Sequence, residues 1–159
     1  MSDRVYIIVE GLRDVKYLNI LLGPYLGDRY QLLFYPTQGF NFMLSSIRPV
    51  IDQAMPGSKI LFVFDADTIY LQKAKERLDF VKDQIGYVRN GCKVGAFYFL
   101  PEIEEFLMGE DAGFRSRKRT PPEIIIEYIE THRENLLKKP PLSDMIAFIE
   151  DDDQKQNPG

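Results

Sequence analysis

Four runs rich in branched and aromatic residues recur along the chain: Arg4 to Val9, Tyr30 to Tyr35, Lys59 to Phe64 and Lys93 to Leu100. Their length and composition predict strands. Between them apolar residues fall three and four apart, the spacing of a helix with one buried face. Val15, Leu18, Leu21 and Leu22 make that stripe in the first interval, Phe42, Met43, Ile47, Val50 and Ile51 in the second, and Leu71, Leu78, Val81 and Ile85 in the third. Gly23, Pro24 and Gly27, then Pro56 and Gly57, then Gly86 and Gly91, punctuate the ends of these helices. Tyr6 to Val9 and Ile60 to Phe64 are almost continuously apolar, as strands covered on both faces are. The β-α-β-α-β-α-β order therefore predicts an α/β domain, a four-stranded parallel sheet with right-handed crossovers and helices on both faces.

After the fourth strand the pattern predicts a helix at about Glu102 to Met108 and then a loop containing Gly and Arg. A further helix is expected with Thr120 as its cap and Pro121 at its first position, running through Ile124, Ile125, Tyr128 and Ile129. Ser143 is placed to cap a last short helix containing Met145, Ile146 and Phe148. The expected organisation is an α/β domain over 1–110, a C-terminal helical extension packed on it over 111–150, and a disordered acidic tail over 151–159.

A length of 159 residues suits one domain with its own core. The single Cys92 excludes an internal disulfide framework, and with His132 as the single histidine an ordinary zinc site is out of reach. Any metal must be held by oxygen. His132 reads as a surface group and Cys92 as a turn residue without a base beside it. The N-terminus lacks a secretory pattern and no apolar run reaches a membrane span, so the expected location is the cytoplasm, with no membrane partner. A net charge of −4 argues against wrapping nucleic acid by bulk electrostatics, though an enzyme that touches a few phosphates through a metal escapes that objection. The charge is uneven: Arg115, Arg117, Lys118 and Arg119 lie together, whereas Glu150 to Asp153 form an acidic run. The basic cluster reads either as a nucleic-acid backbone contact or as a solvated loop. Tyr35, Phe40, Phe42, Tyr98 and Phe99 include candidates for base stacking, most of them expected in the core.

Function in open parallel sheets sits beyond the carboxyl ends of the strands. Glu10 directly follows the first strand, and Gly11 after it is expected to permit a tight turn and close approach of a phosphate. Asp65 and Asp67 follow the third strand, and their spacing of two puts both side chains on one side if extended geometry continues. Carboxylates without His or Cys suit Mg2+, with Mn2+ as a substitute, and such an ion polarises a phosphoryl oxygen and stabilises a leaving oxygen. The alternative is that Glu10 and Asp65 are solvated loop acids, with Asp67 or Thr68 capping the third helix.

Val9-Glu10-Gly11-Leu12-Arg13-Asp14-Val15 after one strand and Phe62-Val63-Phe64-Asp65-Ala66-Asp67 after another resemble the two motifs of the Toprim family, over about residues 4 to 108. That family is found in bacterial primases, type IA and type II topoisomerases, overcoming-lysogenization-defect (OLD) nucleases, a ribosomal RNA maturase and recombination-repair proteins. The resemblance implies a Rossmann-like sheet, with Glu10 as an acid/base glutamate or a metal ligand and Asp65 and Asp67 as the metal-binding pair. In OLD-like nucleases an acid at the place of Asp14 can contribute to a second metal, and Leu100-Pro101-Glu102-Ile103-Glu104-Glu105 is similar to their later acidic motif. Asp14, Glu102 and Glu104 are thus the candidates for a second ion; otherwise Asp14 is a helix cap and the glutamates suit a helix N-terminus. Gly39, after Thr37 and Gln38, resembles the small-residue turn following the second Toprim strand, where it either offers amides to a phosphate or only turns the chain.

The expected function is Mg2+-dependent phosphodiester chemistry on DNA or RNA, as a Toprim-type nuclease. Primase and topoisomerase activities lack room for their accessory regions. The alternative is a non-catalytic Toprim-like module that binds nucleic acid or works with a separate ATPase protein. A third reading takes Asp65-Ala66-Asp67-Thr68 as the nucleophile motif of a haloacid-dehalogenase-type phosphatase, against which stand the third-strand position and the missing downstream Lys and paired acids.

Overall fold

The computed structural model describes residues 3–86, 91–108 and 121–151. The elements run β1 (Arg4–Val9), α1 (Leu12–Leu26), β2 (Gln31–Pro36), α2 (Phe40–Gln53), β3 (Lys59–Asp65), α3 (Leu71–Ile85), β4 (Lys93–Phe99), α4 (Ile103–Met108), α5 (Pro122–Leu137) and α6 (Leu142–Glu150). The strands pair in the order β2-β1-β3-β4, all parallel. This is the expected Rossmann-like α/β architecture with a C-terminal helical part. The chain steps from β1 outward to β2 and then crosses back past β1 to β3, so the topological switch point lies between β1 and β3.

Side-chain alternation along the strands divides the core in two. Val5, Ile7, Leu61 and Val63 face α1, α5 and α6 on one side; Ile8, Ile60, Phe62 and Phe64 face α2 and α3 on the other. Both faces are covered, which explains why β3 reads as an unbroken apolar run. On the two-helix side, Phe42 and Leu71 depart from the expected stripes. They are 66% and 51% exposed, whereas Met43, Ile47, Ile51, Val81 and Ile85 of those stripes are buried as expected, and Ala74 joins them.

Gly23 and Pro24 do not end α1; both lie in its last turns, and Gly27 caps it. A proline inside a helix leaves the carbonyl four residues earlier without its donor. Here that carbonyl belongs to Ile20, and Arg133 Nε of α5 donates to it at 3.1 Å. The irregularity in α1 is thus satisfied by the helix packed beside it.

The C-terminal helices also begin differently from expectation. Pro121 is the N-cap of α5 and Pro122 takes its first turn, while Thr120 lies outside the described residues. Ser143 is inside α6, whose N-cap is Pro141. Phe148 of α6 packs over Gly95 of β4, where an added Cβ would stand 2.8 Å from the ring, and its ring meets Phe97 edge-on. The C-terminus of α6 is held by cations, as the helix dipole favours. Lys59 Nζ donates to the Ile149 carbonyl and Lys93 Nζ to that of Phe148, Lys93 also pairs with Asp151 at 3.1 Å, and Arg29 pairs with Glu150 at 2.8 Å. Glu150 thus lies in the helical part as expected, and Asp151, assigned to the tail, is also held against the fold; 152–159 lie outside the described residues.

Candidate metal centre

Three chain segments meet at the carboxyl ends of β1, β3 and β4. Glu10 leaves β1, and its Oε2 accepts the backbone N–H of Asp65 at 2.6 Å, joining the two strand ends across the switch point. Beyond β3 the pairing with β4 continues past the strand limits: Ala66 N–H donates to the Phe99 carbonyl and Asp67 N–H to that of Pro101, each at 2.9 Å. This extension carries Glu102 alongside the two aspartates. Carboxylate oxygens of Asp65, Asp67 and Glu102 lie within 4.8 Å of one another.

The triad departs from the expected set in membership and in cause. Glu102, placed by the sequence motif with a second ion, stands with Asp65 and Asp67, whereas Glu10 is engaged with the Asp65 backbone outside the triad. The extended geometry invoked for the Asp65–Asp67 spacing does not persist, because Asp67 turns into the left-handed region at φ +57°. Aspartate tolerates that region better than most residues, yet the conformation still costs energy. It is held by the Pro101 carbonyl and by Arg77, whose Nη1 lies 3.3 Å from Asp67 Oδ2. Neither Asp67 nor Thr68 caps α3, since the N-cap is Tyr70, and Thr68 Oγ1 accepts the Tyr70 N–H.

Burial dominates the electrostatics. Asp65 is pushed up to about 9, first by desolvation and then by the charges of Asp14 and Glu10, against the stabilising Ile103 N–H that its Oδ1 accepts at 3.0 Å. Asp14 rises to about 7, again chiefly by desolvation, opposed by the Gly11 N–H it accepts at 3.0 Å and assisted by Glu104, Glu10 and Glu102. Glu10 is raised by burial, with the Asp65 amide pulling the other way. Each of these carboxyls is pushed toward its protonated form, and a cation among them would favour the ionised forms.

Asp14 has the cap role left open by the sequence: it accepts the amide of Gly11, the N-cap of α1, from the third helical position. Gly11 itself is extended, at φ −146° and ψ 171°, so no glycine-specific turn occurs there, and its amide is taken by Asp14. Gly39 does need to be glycine, at φ +127°, but its N–H is likewise taken, by the Glu10 carbonyl at 3.0 Å. Both glycines shape the rim; neither offers its own amide to a phosphate. Glu104 acts on Asp14 and Asp65 through its charge and is not part of the tight triad. Arg115, Arg117, Lys118 and Arg119 lie outside the described residues. His132 stacks on Tyr128 with its Nδ1 3.0 Å from the Tyr128 carbonyl, and Cys92 is buried, both in structural settings.

Sequence reasoning missed Arg77. Its guanidinium donates to the Asp65 carbonyl at 2.8 Å, reaches Asp67, and stacks 3.9 Å from the centroid of the Phe40 ring. A signal existed: Arg77 lies three residues after Ala74 and four before Val81, both buried, so the helical period places a charge beside the inward stripe. Comparisons with protein-family models, curated proteins and solved structures find no match.

Proposed function

We propose that the chain holds Mg2+ or Mn2+ on Asp65, Asp67 and Glu102 and acts on nucleic-acid phosphodiesters, as a nuclease of the Toprim type. The observation that carries this reading is the approach of three carboxylates to within 4.8 Å at the switch point of a parallel sheet. An all-oxygen set of this kind fits a hard divalent cation, which prefers carboxylate and water and commonly bridges protein to phosphate. Bound there, the ion would supply Lewis-acid polarisation of a phosphoryl oxygen.

The chain's own residues have separable parts. Asp65 is fixed by the Ile103 amide and Glu102 is carried beside it by the extended β3–β4 pairing, so two ligands arrive on backbone that is already hydrogen-bonded. Glu10, raised by burial and standing at the Asp65 amide, is the group best placed to hold or move a proton near the ion. Asp14 and Glu104 add negative field that strengthens cation binding.

The test is Mn2+-dependent cleavage of single-stranded, duplex and structured DNA and RNA by wild type, Glu10→Gln, Asp65→Asn and Glu102→Gln. Cleavage should fall at least ~100-fold in each variant, with metal binding retained in Glu10→Gln alone. Cleavage unaffected by all three would remove the assignment. Metal and nucleic-acid binding without cleavage would point to the accessory role beside a partner ATPase, and turnover of a chromogenic phosphomonoester to a phosphatase.

A further inference from the structure

We propose that Arg77 completes a composite site in which the cation and one phosphodiester group bind as a pair, the guanidinium taking one non-bridging phosphate oxygen while the metal takes another. The inference rests on the metal reading above and specifies what the site holds besides the ion.

Arg77 is pre-set for this role. Nη1 makes both of its hydrogen bonds, to the Asp65 carbonyl and to Asp67 Oδ2, while the planar group lies against Phe40, whose ring is in turn set against Phe64 at 5.4 Å. Stacking and two bonds fix the plane of a side chain that would otherwise pay heavily in entropy to bind an anion. Nε and Nη2 make no hydrogen bond within the described residues, and the side chain is 27% exposed. A fork of donors thus stands on the same carboxylate that the triad offers to an ion.

The shared carboxylate gives the arrangement its sign. Asp67 faces Arg77 at 3.3 Å and belongs to the triad. A divalent ion arriving alone must share Asp67 with a guanidinium and is repelled by it. An anion between the two cations removes that repulsion, so metal and phosphate each raise the other's affinity, by the same factor.

The experiment is calorimetric titration of Mn2+ into wild type, Arg77→Gln and Arg77→Lys, with and without dimethyl phosphate, a diester too small to reach other surfaces. In wild type the diester should tighten Mn2+ binding at least ~5-fold. Arg77→Gln should bind Mn2+ alone about 2- to 10-fold more tightly, having lost the competing charge, and should lose the diester effect. Arg77→Lys keeps the charge but not the fork, so it should keep wild-type Mn2+ affinity and show a weaker diester effect than wild type; it carries the test if Arg77→Gln does not fold. Mn2+ binding with the diester effect unchanged in the folded variants overturns this inference alone. Failure of wild type to bind Mn2+ overturns the metal reading and this inference with it.

Discussion

Asp65 is a carboxyl that the fold holds largely out of water, which favours its protonated form. Its ordinary value of 3.8 is raised to about 9 and that of Asp14 to about 7, chiefly by desolvation. The folded, metal-free protein therefore keeps protons that the unfolded chain has released above about pH 4. Stability contributed by these groups is complete below that pH and is lost as pH rises through 7 and then 9. Urea unfolding of metal-free protein should show a fall of at least about 2 kcal/mol between pH 5 and pH 8. Asp65→Asn should flatten much of that fall, since an amide oxygen can still accept the Ile103 N–H without carrying charge. Mn2+ should oppose the fall in wild type and have little effect in the variant. Stability that rises with pH in the metal-free protein would contradict the burial argument. The two aspartates were legible in the sequence because they end an apolar strand; the place of Glu102 was not. It depends on how far the β3–β4 pairing runs beyond the strands, and on the left-handed turn at Asp67, neither of which has a periodic signature.

Helices α1 and α5 illustrate what elements settle between themselves. The pairing of Pro24 in α1 with Arg133 in α5, through the Ile20 carbonyl, turns a helix-breaking residue into a docking point. Arg133→Met keeps much of the apolar stem and removes the donor. It should cost roughly 1–2 kcal/mol in chemical unfolding; no loss would mean that water serves the carbonyl as well. The contact of β4 with α6 is tighter. Gly95→Ala sets a Cβ 2.8 Å from the Phe148 ring and should cost about 1–3 kcal/mol, recovered in part by Phe148→Leu on the same background. Strand and helix identities were plain, the strands from short apolar runs and the helices from the 3.6 period, because both cores reward them. Helix starts were less plain. Pro121 and Pro141 occupy the caps expected of Thr120 and Ser143, and no cap side chain bonds there, so hydroxyl chemistry was the wrong guide.

At the scale of the whole molecule, strand order decides where chemistry can be built. With β1 and β3 adjacent, the ends of two chain segments some fifty-five residues apart share one hydrogen bond, from the Asp65 amide to Glu10. The four-stranded parallel sheet could be read from the β-α alternation, but alternation alone does not fix the strand order that sets the switch point. The grip of Lys59, Lys93 and Arg29 on the end of α6 could not, because an acidic run at a C-terminus looks the same whether it is solvated or paired across the fold. Among the described residues no helix is long and apolar enough to cross a membrane. The account's central claim is that one hard cation is shared by Asp65, Asp67 and Glu102, and anomalous scattering from crystals soaked in Mn2+ tests it most directly. The predicted result is a single strong peak in contact with carboxylate oxygens of all three residues, absent from Asp65→Asn crystals. A well-ordered site without a peak, or a peak that none of the three touches, would contradict it.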